Sequence, residues 1–499
     1  MWLIVGLIVS FVLFYDLSLK LVYLFKAKRA GVRPVAMYVN WPFGIRNLYM
    51  FLKSTKNRNA LEQTVITMRK KKERTFAMEI LGMMNVVTRD PENVKAVLAT
   101  NFKSFDLGLR EAQLSYFLGS GIFTLSSHGW KHSRNLLRPQ FSREQVAQIE
   151  SLRRHATSLE KILDKGEFVN IQHLFHQLTM DTATEFLFGE SVDSLDNSQR
   201  VVNGVSAAEF VEAYTLCLRW SLIRIQFGPL YRLITSSEFR KAIARARRFV
   251  EYFVQQALDR PIDKDESSYV FTHELAKVTR DPVVIRDQAF NVLLAGRDTT
   301  ASLLSYTLWH LSHNPEIYAK LREAVKNQFG EESTEEVTFE GLKRCKYLLN
   351  VINETLRINP TVPRNTRTAT RDTTLPRGGG PNGDEPVFIP KGMPVVYSVY
   401  EIHRQPELWG PDVEEFRPER WDTHSSHGWE YLPFNGGPRI CLGQQFALTE
   451  ASFTVMRIAQ KYERLELLDA TAPLVNDVSL TSMIDGGFML KFHPSKVYQ

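Results

Sequence analysis

Ten consecutive residues near the C-terminus, Phe434 to Gly443, constrain this chain more than any other segment. They read FNGGPRICLG and place Cys441 in a glycine-punctuated loop directly before a predicted helix. Gly436 and Gly437 allow the backbone to turn sharply and to approach a flat cofactor closely. A thiolate held in such a loop is a candidate iron ligand, and Arg439, two residues earlier, can pair with a carboxylate. The alternative is a buried free cysteine in a turn, which is the usual state of an isolated cysteine.

The loop resembles the cysteine-ligand loop of the cytochrome P450 superfamily, Phe-x-x-Gly-x-Arg-x-Cys-x-Gly, and matches it at every fixed position. The resemblance implies a haem b whose iron takes Cys441 as its axial thiolate. It also implies that Phe434 covers the sulfur and that Arg439 binds a haem propionate. Gly443 is expected to give the following helix room beside the cofactor. An apolar surrounding of this kind limits solvent and tunes the reduction potential of the iron.

A second motif lies within a long apolar stretch that Pro282 and Pro315 delimit. Apolar residues on most faces predict a buried central helix. Its middle, residues 295–300, reads AGRDTT, and glycine in a helix costs about 1 kcal/mol relative to alanine. Thr299 can donate a hydrogen bond back to the carbonyl of Ala295, which bends a helix. Several poor helix formers in a buried helix predict a functional site, and the alternative is a kinked structural helix.

This stretch resembles the oxygen-binding motif of the same family, Ala/Gly-Gly-x-Asp/Glu-Thr. The resemblance implies that Ala295 and Gly296 leave a groove on the haem side of the helix. It also implies that Asp298 and Thr299 are the acid and the alcohol that supply protons during oxygen activation.

Arginines at four further positions complete the resemblance. Glu354 and Arg357 lie three residues apart on a predicted helix, a spacing that alone is common in solvated surface pairs. With Arg420 they resemble the buried Glu–Arg–Arg cluster of the family, which fixes the fold around the cysteine loop and does no chemistry. Propionate binding is implied for Trp130, Arg134 and Arg367, of which the first two match Trp-x-x-x-Arg and the third lies on a predicted strand. The alternative for each arginine is an ordinary, partly exposed side chain.

The remaining pattern predicts a mainly α fold with a smaller β-rich lobe, the cytochrome P450 fold. Glycine- and proline-rich turns between Thr368 and Tyr400 predict a small antiparallel sheet. A second strand pair is predicted at Phe76 to Thr88, before a helix that begins near Pro91. The 499 residues show no internal repeat and no linker beyond the N-terminus, so we expect residues 34–499 to form a single large haem-thiolate catalytic domain.

The N-terminal stretch from Trp2 to Phe25 is apolar except at Asp16 and Lys20, which lie one helical turn apart and can pair. Its length matches the about 20 residues that a bilayer-spanning helix needs. Basic residues that follow at once predict a cytosolic location for the rest of the chain; they are Lys26, Lys28, Arg29 and Arg33. We therefore expect residues 1–33 to be a transmembrane anchor with a basic linker, single-pass in the endoplasmic reticulum membrane. A cleaved signal peptide is the alternative, although no Ala-x-Ala-like site precedes the basic residues.

Composition narrows the class of partners. The net charge is +7, but the 62 basic residues are scattered, which excludes a nucleic-acid-binding surface and favours an acidic protein partner or an anionic membrane. The three cysteines, Cys217, Cys345 and Cys441, form no CxxC and no even-numbered framework, so neither a zinc site nor disulfides are expected. Because the chain has no glycine-rich dinucleotide loop, electrons from NADPH must arrive through a separate membrane-bound NADPH–cytochrome reductase. Lys131, Arg134 and Arg138 are candidates for docking it.

The resemblance implies a monooxygenase that inserts one oxygen atom of O2 into a C–H bond of an apolar small molecule. Four stretches resemble fungal members that hydroxylate alkanes and fatty acids, which implies terminal hydroxylation of long chains; they are Gly121–Leu125, Gly129–Phe141, Asn291–Thr300 and Phe434–Phe446. Another lipophilic substrate, such as a sterol, a terpenoid or an aromatic compound, is an alternative. Two other classes stay open: a haem-thiolate isomerase or dehydratase that needs no reductase, and a membrane-tethered haem sensor or carrier.

Overall fold

The computed structural model describes residues 2–38, 42–56, 61, 63, 73–80, 82–142, 149–196, 200–261, 269–331, 337–423 and 428–495. Of residues 2–9, 11, 12, 38, 42, 51, 52, 55 and 56, only the backbone is described. Helices dominate these ranges, and in chain order they are α1 (Trp2–Arg29), α2 (Ile45–Lys56), α3 (Pro91–Lys95), α4 (Arg110–Leu118), α5 (Ser127–Leu137), α6 (Ile149–Leu163), α7 (Ile171–Phe188), α8 (Ala207–Gln226), α9 (Ser237–Asp259), α10 (Phe271–Val278), α11 (Pro282–His313), α12 (Pro315–Phe329), α13 (Phe339–Arg344), α14 (Lys346–Ile358), α15 (Val399–Ile402), α16 (Pro406–Trp409), α17 (Arg420–Thr423) and α18 (Gln444–Lys461).

Strands form a smaller part of the molecule. They are β1 (Met37–Tyr38), β2 (Thr75–Ile80), β3 (Met83–Thr88), β4 (Phe105–Asp106), β5 (Val169–Asn170), β6 (Val201–Val202), β7 (Val205–Ser206), β8 (Arg364–Ala369), β9 (Thr373–Gly379), β10 (Glu385–Ile389), β11 (Pro394–Ser398), β12 (Tyr462–Leu467), β13 (Asn476–Val478), β14 (Ser482–Ile484) and β15 (Met489–Pro494). The largest sheet has the strand order β1-β2-β3-β11-β8-β4, and β9 pairs with β10 in an antiparallel hairpin. The predicted combination of a mainly helical protein with a smaller β-rich lobe is confirmed.

Helix α11 is the centre of the helical part and packs against α7, α9, α14 and α18. It carries several buried hydroxyl residues, and two of them satisfy their donors by bonding to the carbonyl one turn earlier. Ser305 donates to the carbonyl of Ala301 at 2.7 Å, and Thr307 donates to that of Leu303 at 2.8 Å. Polar residues in the middle of the core therefore leave the helix unbroken from Pro282 to His313.

The β-rich lobe contains the elements that the turn signals predict. Strands β2 and β3 pair antiparallel across the predicted segment, with Phe76 opposite Val87. Helix α3 begins at Pro91, and the Asp90 carboxylate caps it by accepting a hydrogen bond from the backbone N–H of Glu92 at 2.9 Å. Strand β11 joins the two parts of the lobe, because it runs parallel to β3 and antiparallel to β8.

Helix α1 covers most of the predicted anchor. Within the residues that the structure describes, no helix is both long enough and apolar enough to cross a membrane. The side chains of residues 1–9, 11 and 12, which form the most apolar part of the predicted anchor, lie outside the described residues. The assignment of residues 1–33 as a membrane anchor therefore stays a prediction.

The second half of α1 lies against the β-rich lobe. Asp16 and Lys20 form the predicted pair at 2.5 Å, and the Lys20 ammonium also lies 3.0 Å from the carboxylate of Glu79 on β2. One and two turns further on, Tyr23 and Ala27 are buried on the same face. The face that carries these residues thus contacts protein, which limits the part of the predicted Trp2–Phe25 span that is free for lipid.

Candidate functional site

The cysteine loop is held in a conformation that its glycines permit. Gly437 has a φ of +67°, and a Cβ at this position would lie 1.9 Å from the carbonyl oxygen of Leu98. The backbone N–H of Cys441 donates to the carbonyl of Phe434 at 3.0 Å, which closes the loop. Gly443 follows as the residue that precedes the first turn of α18. Any side chain at position 437 would therefore displace the loop that presents the thiol.

The thiol faces a cavity between the cysteine loop, α5 and α11. The cavity volume is about 260 Å³, close to the lower end of the roughly 300–1,000 Å³ of a site for one small ligand. Apolar side chains form most of its wall, among them Leu107, Ile122, Phe123, Val292, Leu303, Phe434 and Phe446. Ala295, Gly296 and Thr299 of α11 line it together with Cys441, Gly443 and Trp130. The thiol and the α11 motif therefore face one common, largely apolar cavity.

Cys441 lies deep in the fold, and its side chain is accessible from the cavity. Its surface is exposed because the thiol faces the cavity. Burial within the fold raises the pKa of the Cys441 thiol, while the backbone N–H of Gly443 and the charge of Arg134 act in the opposite direction. A bound metal cation strongly favours the deprotonated thiol. An iron ion at this position would therefore stabilise the Cys441 thiolate. The other cysteines are buried away from the cavity, and burial raises the pKa of Cys217 to about 12.

Four arginines gather along one edge of the cavity: Arg110, Arg134, Arg367 and Arg439. Burial and then the charges of Arg367 and Arg110 lower the pKa of Arg439 to about 9, and burial and Arg367 lower the pKa of Arg110 to about 10. The charge of Asp106 acts in the opposite direction on the pKa of Arg439. Because a guanidinium stays charged in proteins, such a cluster calls for further anionic partners. Two carboxylates, as on a haem, meet that need.

An unused hydrogen-bond donor in this cluster points to the same partner. Arg367 is buried on β8, donates to the backbone carbonyl of Thr366 at 2.8 Å, and has no partner for its Nε among the described residues. Arg439 lies 4.4 Å above the ring of Trp130 and donates to the carbonyl of Leu125 at 3.0 Å. Arg134 donates to the carbonyl of Ile440 at 2.9 Å, beside the thiol. The residues present therefore fit a haem whose iron binds Cys441 and whose propionates bind the arginines.

Arg110 is a site residue that the sequence analysis missed. It opens helix α4, donates from Nη2 to Asn365 Oδ1 at 2.8 Å, and lines the cavity. Asn365 also accepts from Arg367 at 3.2 Å, so this amide links two arginines of the cluster. No motif surrounds Arg110 in the sequence, and only the fold brings α4 beside β8.

The motif on α11 divides between two faces of the helix. Thr299 donates to the carbonyl of Ala295 at 2.7 Å, as predicted, and both residues line the cavity. A Cβ at Gly296 would meet only the Cβ of Ala183 at 3.9 Å, so the groove predicted at this point is open. Asp298 is not among the residues that line the cavity, and it lies 3.4 Å from Arg297 and 3.6 Å from His176. The alcohol thus faces the cavity while the acid faces the neighbouring helices.

The three residues predicted as a buried cluster do lie together. Glu354, Arg357 and Arg420 are at most 2% exposed. Two parallel hydrogen bonds of 2.8 Å join Arg357 to Glu354, and Arg420 Nε lies 3.4 Å from Glu354. Arg357 also donates to the carbonyls of His403 and Val413 at 3.0 and 2.8 Å. These bonds tie α14 to the chain segments that lead toward the cysteine loop.

Comparisons with known proteins extend along almost the whole chain. A model of the family described as Cytochrome P450 matches residues 42–492. Cytochrome P450 52E1 of Candida apicola is 46% identical over 505 residues, which cover 98% of this chain and 97% of that protein. Cytochrome P450 52A3-B of Candida maltosa is 51% identical over 423 residues, or 82% of this chain and 81% of that protein. Cytochrome P450 52A13 of Debaryomyces hansenii is 46% identical over 478 residues, covering 93% and 91%.

Proposed function

This chain belongs to the cytochrome P450 family, and from that premise we propose that it hydroxylates the terminal carbon of long-chain alkanes or fatty acids. It is a haem-thiolate monooxygenase that uses O2 and an apolar small molecule. The observation that carries the substrate proposal is the combination of the fungal hydroxylase-like stretches with an apolar cavity that they line. Ile122, Phe123 and Val292 belong to two of those stretches and to the cavity wall. Such a wall recognises an alkyl chain by burial and excludes water.

We assign the remaining roles to side chains at the cavity. Held by the Cys441 thiolate, the haem supplies the chemistry of oxygen activation. Trp130 and the four cavity-edge arginines hold its propionates, and Phe434 keeps water from the sulfur. Thr299 donates its own proton to the carbonyl of Ala295, so its oxygen lone pairs are free to accept a hydrogen bond inside the cavity. Asp298 holds the proton supply on the other face of the same helix.

Electrons come, in this proposal, from NADPH through a separate reductase. Lys131 and Arg138 are exposed on and directly after α5, whose Arg134 lies beside the cysteine loop. A basic surface at this point attracts an acidic partner and brings it close to the thiolate side of the haem. Long-range attraction of this kind weakens as salt concentration rises.

We further propose that the protein sits on the endoplasmic reticulum membrane, with α1 as its attachment. Since Asp16 pairs with Lys20, and Lys20 also pairs with Glu79 of β2, the part of α1 that is free on all sides for lipid ends near Tyr15, about 21 Å along the helix at 1.5 Å per residue. That is shorter than the about 30 Å of a bilayer core, so the attachment is a short insertion.

A second apolar surface continues from α1. The Tyr15 and Phe43 rings lie 6.5 Å apart, and the β2–β3 hairpin connects Phe43 to the segment Gly228–Leu233 through Met83. Leu230 and Leu233 in that segment are 56% and 76% exposed. Exposed apolar side chains of this kind mark an interaction surface, and we propose that this one contacts lipid.

The test is a titration of the full-length ferric protein, bound to phospholipid vesicles, with alkanes, fatty acids, sterols and aromatic compounds. We expect a shift of the haem absorption band with linear chains, and tighter binding of longer chains because they bury more apolar area. Products formed after addition of NADPH and reductase should carry oxygen on the terminal carbon. Shifts with sterols or aromatic compounds alone would overturn the substrate proposal, and turnover of a peroxide without NADPH would identify an isomerase or dehydratase. Flotation of the vesicles reports attachment independently.

A further inference from the structure

On the side of α11 away from the haem cavity, three polar side chains from three helices surround the Asp298 carboxylate. Arg297 and Asp298 come from α11, His176 from α7 and Tyr214 from α8. Asp298 Oδ1 lies 3.6 Å from His176 Nδ1 and 3.4 Å from Arg297 Nη1, and the Arg297 guanidinium lies 5.8 Å from the centre of the Tyr214 ring. We call these four residues the Asp298 cluster.

Three atoms of the Asp298 cluster are buried without a hydrogen-bond partner among the described residues. They are Nδ1 of His176, Nε of Arg297 and the hydroxyl of Tyr214. Tyr214 is 0% exposed and Arg297 is 7% exposed. Leaving such a group unpaired costs about 1–3 kcal/mol, so native proteins satisfy nearly all of them, and buried water is the usual partner where protein offers none. Three such atoms around one carboxylate define a site for water.

The protonation pattern of His176 follows from its second nitrogen. Nε2 lies 3.2 Å from the thioether sulfur of Met483, which only accepts hydrogen bonds, so we assign the ring proton to Nε2. Nδ1 is then an acceptor that faces the acceptor Oδ1 of Asp298. Burial, followed by the charge of Arg297, lowers the pKa of His176 to about 4, so at neutral pH the imidazole carries no second proton to relieve this contact.

A water molecule resolves the conflict between the two acceptors. At 3.6 Å the atoms are too far apart for a direct hydrogen bond, and a water beside the gap can donate one proton to each. The side chain of His176 is 19% exposed, so this water is one step from solvent. Arg297 and Tyr214 close the opposite side, where the Tyr214 ring packs edge-on against Phe117 at 5.6 Å.

We propose that His176 is a positioning residue that holds a water molecule on Asp298, through which Asp298 exchanges protons with solvent across the α7 side of the helix. The inference rests on the proposed function only in that Asp298 then passes the proton to the cavity. Each proton that Asp298 releases is replaced by one from solvent through the bound water, so the cluster returns to its starting state.

The first measurement needs no substrate and no turnover. Density for the resting full-length holoenzyme, at a resolution that shows ordered water, should contain a water within hydrogen-bond distance of both His176 Nδ1 and Asp298 Oδ1. In His176→Phe that water should be absent. Density without a water between His176 and Asp298, or with a direct hydrogen bond between them, would overturn the proposal whatever the enzyme's substrate is.

The second measurement is the amount of hydroxylated product per NADPH, in H2O and in D2O. His176→Phe should lower this ratio several-fold and increase its sensitivity to D2O, while His176→Gln, which keeps a side-chain acceptor, should retain most of the ratio. A structural role would instead lower both variants alike, and unchanged ratios in both would also overturn the proposal. If His176→Phe does not fold, His176→Gln and His176→Leu make the same comparison. Absence of product from the wild type with every compound would contradict the proposed substrate class and leave the density measurement valid.

Discussion

Two buried polar clusters lie in this protein, and they are built in opposite ways. In the cluster of Glu354, Arg357 and Arg420, charges of opposite sign are bonded to each other and to backbone carbonyls. In the Asp298 cluster, the distances are 3.4 and 3.6 Å and three buried polar atoms have no partner in the described part of the chain. Both clusters are enclosed by helices, so burial alone does not account for the difference.

The difference between the two clusters fits the role that we propose for each. Charges with complete hydrogen bonding have one favourable arrangement, which fixes the chain segments that carry them. A carboxylate with loosely placed neighbours keeps room for water and can gain or lose a proton without breaking a network. The contrast supports our proposals that the first cluster holds the fold around the cysteine loop and that the second serves proton exchange.

The largest effect is expected when a charge is removed from the Glu354 cluster. Arg357→Ala leaves the fully buried Glu354 without its bidentate partner, which costs about 3–5 kcal/mol of the free energy of unfolding. Denaturation followed by tryptophan fluorescence, together with the yield of haem-bound protein, measures this loss.

His176→Gln in the Asp298 cluster is the matched control. It should change the free energy of unfolding little, because His176 lies 3.6 Å from Asp298 and forms no direct hydrogen bond with it. Equal destabilisation by the two variants would remove the distinction between the clusters.

The sequence allowed much of the site to be predicted, because short motifs fix local chemistry. The Thr299–Ala295 hydrogen bond, the helix that contains it and the strand pair at Phe76 to Thr88 all follow from local patterns, and all are present. Local pattern does not reveal which distant segments meet. Arg110 reaches Asn365 across 255 positions, so the fourth arginine of the cavity edge had no signal in the sequence.

Asp16 shows the same limit at the N-terminus. Its pairing with Lys20 follows from their spacing of four, but Glu79 comes from a strand that no periodicity connects to α1. The Asp16 carboxylate, a charge that is costly in lipid, is paired within the protein. His176 and Tyr214 likewise carried no motif, and only the packing of α7 and α8 on α11 brings them to Asp298.

A third buried acid sharpens the comparison because it has hydroxyl partners and, among the described residues, no ion pair. Glu450 on α18 accepts from Thr182 at 2.5 Å, and burial raises its pKa to about 7, with the hydroxyls of Thr182 and Thr300 acting in the opposite direction. The folded state therefore holds a proton that the unfolded state loses near pH 4.5. Below about pH 7 this acid is mainly neutral in the fold, whereas Glu354 is paired with cations.

The pH dependence of stability should reveal that proton. The stabilisation is fully present below about pH 4.5 and is lost as the pH rises through about 7, a difference of about 3 kcal/mol at about 1.4 kcal/mol per unit. Glu450→Gln keeps the shape and removes the titration, so the gap in unfolding free energy between variant and wild type should grow from pH 5 to pH 8. A gap that is the same at both pH values would mean that Glu450 is ionised in the fold.

The smallest effect on stability, and the most specific effect on function, is expected at Thr299. Thr299→Ala removes one hydrogen bond to the carbonyl of Ala295 but introduces a better helix former, so the free energy of unfolding should change by about 1 kcal/mol or less. Oxygen consumption and NADPH oxidation should largely persist, because the haem site and the reductase surface are untouched. The variant lacks the hydroxyl that accepts a hydrogen bond in the cavity. The amount of product per NADPH should therefore fall, and the amount of hydrogen peroxide should rise to match. Thr300→Ala, whose hydroxyl lies toward Glu450 about 100° further around the helix, is the control and should change this ratio far less. Equal product per NADPH in wild type and Thr299→Ala would take this residue out of proton delivery and leave water held by Asp298 as the direct source.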